Sequence, residues 1–169
     1  MLKKKNIELV IGSNNVGKLK EIKDLLPKKI IISTPKDFKI KSPKENGKTF
    51  AENSLIKAKY FSQKTGKICL ADDSGLEIYK LSKAPGIYSS RWAGINNDFN
   101  FAIKKIFKKL NKVDPNWRDK TVYARFVCVL TIYWPTGRTI KAIGKVEGKI
   151  SKSKKGSYGF GYDPIFIPK

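Results

Sequence analysis

Three observations predict an α/β fold built on a mixed sheet. Strand-like and helix-like segments alternate through the first half of the chain. A hairpin pattern follows in the second half, which calls for antiparallel pairing beside the earlier strands. No internal repeat or low-complexity linker breaks the 169 residues, which suffice for one domain, or one domain with two lobes, around a real core.

The elements follow in order. Ile7 to Ile11 reads as a first strand, closed by Gly12-Ser13-Asn14-Asn15. Val16, Leu19, Ile22, Leu25 and Leu26 then recur at helical spacing until Pro27 stops them. Lys29 to Ser33 is a second strand. After a polar loop, Thr49-Phe50-Ala51-Glu52 has the form of a capping box, with Thr49 capping and Glu52 reaching back. It opens a helix with Leu55, Ala58 and Phe61 on one side, and Gly66 ends it. Ile68 to Ala71 is an apolar strand that ends at Asp72-Asp73-Ser74-Gly75. Leu81 to Asn97 is a long ordered connection. Phe99, Ala102, Ile103, Ile106, Phe107 and Leu110 mark a third helix. Thr121 to Tyr133 is a long strand, turned by Pro135-Thr136-Gly137 into an antiparallel neighbour from Thr139 to Val146. A glycine-rich segment from Gly156 to Pro164 leads to a short last strand, Ile165 to Ile167.

Composition limits the chemistry. The chain carries 36 Lys+Arg against 14 Asp+Glu, a formal charge of +22, and no histidine. Histidine general bases, Ser-His-Asp and Cys-His systems and His-built zinc sites are therefore excluded. Nine Phe, seven Tyr and three Trp argue for a folded core. No stretch approaches the roughly 20 apolar residues of a membrane span, and the basic start at Met1 to Lys5 lacks the apolar run of a signal peptide. Cys69 and Cys128 sit in apolar segments and read as buried thiols of a cytoplasmic protein. The positive excess is almost all lysine spread along the chain, with arginine only at 91, 118, 125 and 138. That distribution fits compositional drift better than base or phosphate readout, so nucleic acid is not the expected partner.

Three clusters carry chemistry. In an acid-poor chain, Asp72 and Asp73 stand together; on extended backbone they point to opposite sides, so only one faces a given pocket. Glu45 and Glu52 complete a set of hard oxygen donors from which Mg²⁺ could draw, beside retained waters and substrate phosphates. The plainer alternative makes Glu52 a helix cap and the aspartates turn formers. The second cluster, Ser13-Asn14-Asn15-Val16-Gly17-Lys18, joins a strand to a helix N-terminus, where free amides and the helix dipole attract anions. It is not a Walker A sequence, since Leu19 stands where that pattern needs Ser or Thr after the lysine. The third, Phe160-Gly161-Tyr162-Asp163, offers two ring faces suited to a nucleobase and a carboxylate acceptor. Together they point to a nucleotide pocket.

In order along the chain, Ser13 to Lys18, Gly47 to Asn53 with Lys57-Ala58, Ala71 to Leu76, Ala84 to Gly94, Ala124-Arg125-Phe126 with Cys128, and Gly159 to Phe166 resemble the Ham1/RdgB-type inosine triphosphate pyrophosphatase family. The resemblance implies an elongated mixed sheet with flanking helices, two lobes around a central nucleotide cleft, and a homodimer. It implies Mg²⁺-dependent hydrolysis of ITP, dITP and XTP to monophosphate and pyrophosphate. Carried over, Asp73 is the proton acceptor and a metal-associated aspartate, Glu45 the second metal-associated carboxylate, and Glu52 a further contributor. Ser13, Asn14, Asn15, Val16, Gly17 and Lys18 form the triphosphate loop, Ser74 a substrate contact, and Phe160, Gly161, Tyr162 and Asp163 the base-side loop. Asn14 stands where glycine is frequent, and a left-handed conformation would relieve the crowding. Residues 1–169 are expected to form one domain, C-terminally short of the family's lysine-bearing stretch and Ser-His-Arg motif. The alternative to an active enzyme is therefore a non-catalytic nucleotide- or nucleic-acid-binding remnant.

Overall fold

Six strands form one mixed sheet in the computed structural model, which describes residues 7–156 and 159–169. The Met1–Lys5 start and the Ser157-Tyr158 part of the glycine-rich segment lie outside the described residues. The strands are β1 (Glu8–Ile11), β2 (Ile31–Ser33), β3 (Ile68–Ile78), β4 (Tyr123–Tyr133), β5 (Thr139–Ile150) and β6 (Phe166–Pro168), in the order β2-β1-β3-β4-β5-β6. β1 runs parallel to both β2 and β3, with Val10 opposite Ser33 on one side and Cys69 on the other. β5 and β6 are antiparallel, with Ile150 opposite Phe166. The α/β architecture expected from the sequence is the one observed.

The helices are α1 (Val16–Leu25), α2 (Phe50–Thr65), α3 (Ser89–Trp92) and α4 (Phe99–Val113). Their ends obey local chemistry. Asn15 caps α1 by accepting from Lys18 N at 3.2 Å, and Asp98 caps α4 by accepting from Phe101 N at 3.1 Å. Thr49 Oγ1 accepts from Glu52 N at 3.1 Å to start α2, and Gly66, at φ +65°, ends it in the left-handed conformation. Glu52 reaches back one residue further than a standard capping box, accepting from Lys48 N at 2.5 Å.

The chain divides into two compact units, residues 7–73 with 129–143 and residues 74–128 with 144–156 and 159–169. The first has a core of Val10, Ala58, Phe61, Cys69 and Ala71. The second is larger: Leu76, Ile78, Ile103, Ile106, Leu110, Trp117 and Ile165 are all buried there. Of the apolar positions expected in α4, Ala102, Ile103, Ile106 and Leu110 are buried and Phe99 and Phe107 are partly buried against the same core, because the 3.6-residue period is regular. α1 differs. None of its residues is fully buried, and Val16 and Leu25 of the expected stripe are exposed.

The strand carrying Asp72-Asp73 also differs. It does not end there but continues through Ser74 and Gly75 to Ile78, so both aspartates are mid-strand. Asp72 therefore does not shape a strand end. The reason lies at Gly75, where an added Cβ would come within 2.4 Å of Ser89 Oγ and 2.5 Å of Gly86 O. The glycine serves close packing of the strand against the 86–89 turn, not a reversal of the chain. Cys69 and Cys128 form no disulfide; Cys69 is buried as expected, Cys128 only partly, and burial pushes the Cys69 thiol up to about 12.

Candidate active site

The first unit gathers the loop between β1 and α1, two aspartates and a buried lysine. After β1 the chain turns at Gly12, whose amide donates to Leu70 O at 2.8 Å. No side chain fits at that position, since a Cβ would lie 2.8 Å from the Phe61 ring and 3.0 Å from Cys69 Sγ. Ser13 Oγ accepts from Asn15 N at 3.2 Å, which tightens the loop into the N-terminus of α1. Asn14 does not take the left-handed conformation; its amide donates to Ser42 Oγ at 2.8 Å instead. Val16 and Gly17 form the first turn of α1, and Lys18 follows.

The two aspartates point to opposite sides of β3, as alternation requires. Asp72 Oδ2 receives Lys18 Nζ at 2.6 Å, an ion pair between largely buried groups. On the other side Lys57 Nζ, from α2, lies 3.0 Å from Glu45 Oε1 and 3.6 Å from Asp73 Oδ1. α2 is unusual in burying Asn53, Ser54 and Lys57 along with Ala58 and Phe61. Ser54 meets Thr131 of β4 in a hydroxyl pair of 2.7 Å. Asn53 Oδ1 accepts from Gly47 N at 2.9 Å, which ties down the loop that carries Glu45.

Electrostatics set Asp73 apart. Burial raises its carboxyl from the ordinary 3.8 to about 6, and the neighbouring Glu45 charge adds to the rise while Lys57 opposes it. Burial works against the Lys57 ammonium, yet the charges of Asp73, Asp72 and Glu45 outweigh it and hold that group above its ordinary range. Asp73 Oδ2 and Asn53 Nδ2 are both buried and neither completes a hydrogen bond of normal geometry among the described residues, although the Asn53 amide is near enough to favour the Asp73 carboxylate. Buried polar atoms are normally satisfied, so these two mark where a polar ligand or ion would complete the site.

The second unit holds the remaining expected residues: Ser74, the residue after Asp73 on β3, and the loop Phe160 to Asp163. Phe160 is exposed, and its amide donates to Asp163 Oδ2 at 2.9 Å, which fixes the turn. Gly161 supplies a positive φ of +69°. Tyr162 is not a ring face for a base. It is buried, packs edge-on against Phe99 and donates its hydroxyl to Ser89 O at 2.8 Å, and burial pushes its phenol well up. Its aromatic face is used by the core of its own unit.

Lys57 and Asn53 were missing from the candidate residues drawn from the sequence. Their signal was present: polar side chains at positions that share the inward side of α2 with Ala58 and Phe61. Glu52, by contrast, spends its carboxylate on the Lys48 amide at the start of α2.

The Ham1 family model matches residues 9–169. The chain belongs to the Ham1 family. Among curated relatives it is 41% identical over 160 residues to the dITP/XTP pyrophosphatase of Zymomonas mobilis, covering 94% of this chain and 75% of that protein. It is 38% identical over 171 residues to the Bacillus subtilis dITP/XTP pyrophosphatase, covering 96% and 81%. In structure, this Ham1 chain is similar to a HAM1 protein from Coxiella burnetii, with a TM-score of 0.84, 38% identity, and coverage of 95% of this chain and 81% of that one. The Staphylococcus aureus Ham1 protein gives a TM-score of 0.80 at 38% identity, covering 94% and 80%. Their mixed sheet and flanking helices are those of this chain.

Among the described residues no three His, Cys, Asp or Glu side chains gather closely enough to hold a metal by protein ligands alone. That is compatible with Mg²⁺, which binds through one or two carboxylates and takes its other oxygens from water and phosphate. Asp73, with its unsatisfied Oδ2, and Glu45, tied to it through Lys57, form a donor set of that kind. Among the described residues no helix is long and apolar enough to cross a membrane.

Proposed function

We propose that this protein hydrolyses non-canonical purine nucleoside triphosphates, ITP, dITP and XTP, to the monophosphate and pyrophosphate, and that it acts as a cytoplasmic homodimer without nucleic acid as substrate or partner. The observation that carries the reading is the buried Asp73, raised to about 6 and set beside Lys57 and Glu45. The names of the relatives at 41% and 38% identity support the substrate class.

The residues divide the work. The amides of Ser13 to Gly17 and the N-terminus of α1 bind phosphate oxygens, and Lys18 adds a point charge held in place by Asp72. Asp73 orients the attacking water and takes its proton, as a carboxylate with a pKa near the working pH does well. Water oxygen forms the new bond to the α-phosphorus, the bond to the bridging oxygen breaks, and the pyrophosphate departs with that oxygen's electron pair. Lys57 keeps Asp73 and Glu45 together against their mutual repulsion. Mg²⁺, held by Asp73 and Glu45, would neutralise phosphate charge. Ser74 contacts the substrate, and the Phe160 to Asp163 loop supplies backbone groups and the Phe160 ring for the keto-purine base.

The test is pyrophosphate release with Mg²⁺ from dITP, XTP, dATP and dGTP. Turnover of dITP and XTP well above dATP is the expected result. No release from any of the four, or equal release from all, would sink the assignment.

A further inference from the structure

The second unit holds a cavity of about 370 Å³ where the end of β5 and the 151–155 loop meet residues 120–121. No residue of the candidate active site lines it. The β5–β6 register sets Lys149 opposite Ile167, so lysine and isoleucine share one side of the sheet there. Alternation turns the Ile150 side chain the other way, into the core, and returns Ser151 to the side of Lys149.

Lys120, Lys149, Lys152 and Lys155 surround the cavity, and no carboxylate is among its lining residues. Lys120 has Asp114 at 2.9 Å, but that carboxylate also takes Lys80 at 2.6 Å. Lys149, Lys152 and Lys155 pair with no acid among the described residues. Ammonium groups gathered in this way repel one another, and an anion between them relieves the repulsion. Ser151 supplies an independent sign. It is 4% exposed and its amide donates to Ile165 O at 2.8 Å, yet its hydroxyl has no hydrogen-bond partner among the described residues. Buried hydroxyls normally find a partner, so this one is left to a ligand. The backbone around it is fixed: Ile150 N donates to Val122 O at 2.8 Å, Lys155 N to Pro164 O at 2.8 Å, and Arg118 Nε to Lys152 O at 3.4 Å. Compositional drift scatters lysine over a surface; it does not leave an unpartnered buried hydroxyl beside a lysine-lined cavity.

We propose that this cavity binds a condensed inorganic phosphate, of which pyrophosphate is the smallest. Several ammonium groups around one space suit a phosphate chain, charged on every unit, better than a single phosphate. Lysine meets such a chain as a point charge on a flexible stem. The apolar lining is Ile150 and Ile167, and no aromatic ring is present for a base to stack on. An inorganic chain therefore fits better than a nucleotide. The site stands whether or not the chain turns over triphosphates.

Amide ¹H–¹⁵N spectra of the full chain, recorded during titration with pyrophosphate without Mg²⁺ at physiological ionic strength, test this. They read Lys149 and Ser151 to Lys155 separately from the Ser13 to Lys18 loop, where a product of the proposed reaction would also bind. The expected result is saturable shifts at Lys149, Ser151 and Lys152 that tripolyphosphate reproduces and sulfate does not. Lys149→Gln combined with Lys152→Gln should weaken this binding by about an order of magnitude, and Ser151→Ala should weaken it several-fold. Lys28→Gln combined with Lys29→Gln, which removes the same charge from the first unit, should leave it unchanged. Shifts that never saturate, or that weaken equally with the Lys28 and Lys29 pair, would mean that net charge alone attracts the anion and would overturn the site. Saturable shifts confined to Ser13 to Lys18 would overturn it too, and so would dATP binding the cavity as tightly as tripolyphosphate. If the Lys149 and Lys152 pair does not fold, the wild-type and Ser151→Ala titrations decide. Turnover of dITP is assayed apart, and its absence would refute the proposed function without touching this site.

Discussion

Lys57 Nζ lies 3.6 Å from Asp73 Oδ1 and 3.0 Å from Glu45 Oε1, so one buried ammonium bridges two carboxylates that would otherwise repel. The bridge does not fully compensate them, because Asp73 still stands at about 6. An ionised Asp73 is thus unfavourable for the ligand-free fold. Sites that store such a penalty gain it back when the intended ligand arrives.

Asp73→Asn separates the two effects. Its expected rate loss is about 10²- to 10⁴-fold, the usual contribution of a positioned general base. Its expected effect on the ligand-free fold is stabilising, and the sign depends on pH. The folded pKa is raised, so the native state holds the Asp73 proton longer than the unfolded chain. Below about 4 both states are protonated and the residue makes no difference. As pH rises through 4 to 6 the wild type alone loses stability, up to a ceiling of about 3 kcal/mol for two pKa units. Thermal melts of the two proteins should coincide near pH 4 and diverge by pH 7, with the variant higher. A variant that melts below the wild type at pH 7 would contradict the penalty.

Lys57→Met should do the opposite. Without the ammonium, Asp73 and Glu45 face each other unscreened, so the Asp73 pKa climbs further above 6 and the pH-dependent loss deepens. Breaking a buried pair in this way costs about 3–5 kcal/mol. The variant should be close to wild type in acid and markedly weaker at pH 8. Mg²⁺ can replace the lost cation, so it should raise the melting temperature of Lys57→Met more than that of the wild type. An equal Mg²⁺ shift in both proteins would count against Asp73 and Glu45 as its ligands.

The Lys18–Asp72 pair, at 2.6 Å, predicts a coupling. Asp72→Asn should leave a folded protein with a raised KM for triphosphate and a smaller change in kcat, because Lys18 is no longer aimed. Lys18→Met should destabilise the fold, since it removes the cation beside a buried carboxylate. The double variant should be more stable than Lys18→Met alone. A double-mutant cycle in urea measures this, and strict additivity would remove the positioning role given to Asp72.

Sequence reasoning reaches the elements whose signals are local. Thr49 and Gly66 mark the ends of α2 through hydrogen bonds to near neighbours, and the stripe of α4 faces the core as its spacing implies. It reaches the strand, loop and helix around Ser13 to Lys18 for the same reason, since those segments are contiguous in the chain. It fails where a residue's environment comes from distant chain. Lys57 looks like one lysine among many until β3 and the Glu45 loop bring carboxylates to it. Tyr162 looks like a free ring until Phe99 and Ser89 enclose it. Ser74-Gly75 carries every local mark of a turn, yet the strand runs through it.

Gly75→Ala tests that last point. The Ser89 hydroxyl accepts from Leu76 N at 3.0 Å and donates to Gly86 O at 2.7 Å, which fastens β3 to the 86–89 turn. The Ser89 carbonyl receives the Tyr162 hydroxyl, so the same turn anchors the Phe160 to Asp163 loop. A methyl group at residue 75 would overlap both Ser89 Oγ and the Gly86 carbonyl, and the latter is backbone that cannot swing aside. Overpacking of this kind costs about 1–3 kcal/mol. The expected outcome is a lowered melting temperature together with weaker discrimination between dITP and dATP, because the base-side loop loses its anchor. Gly66→Ala provides the contrast. Its Cβ would meet nothing within 4 Å, so only the left-handed φ of +65° is strained and base selectivity should not change. If both variants shift stability and leave selectivity alone, the Ser89 bridge is a packing feature without influence on the base-side loop.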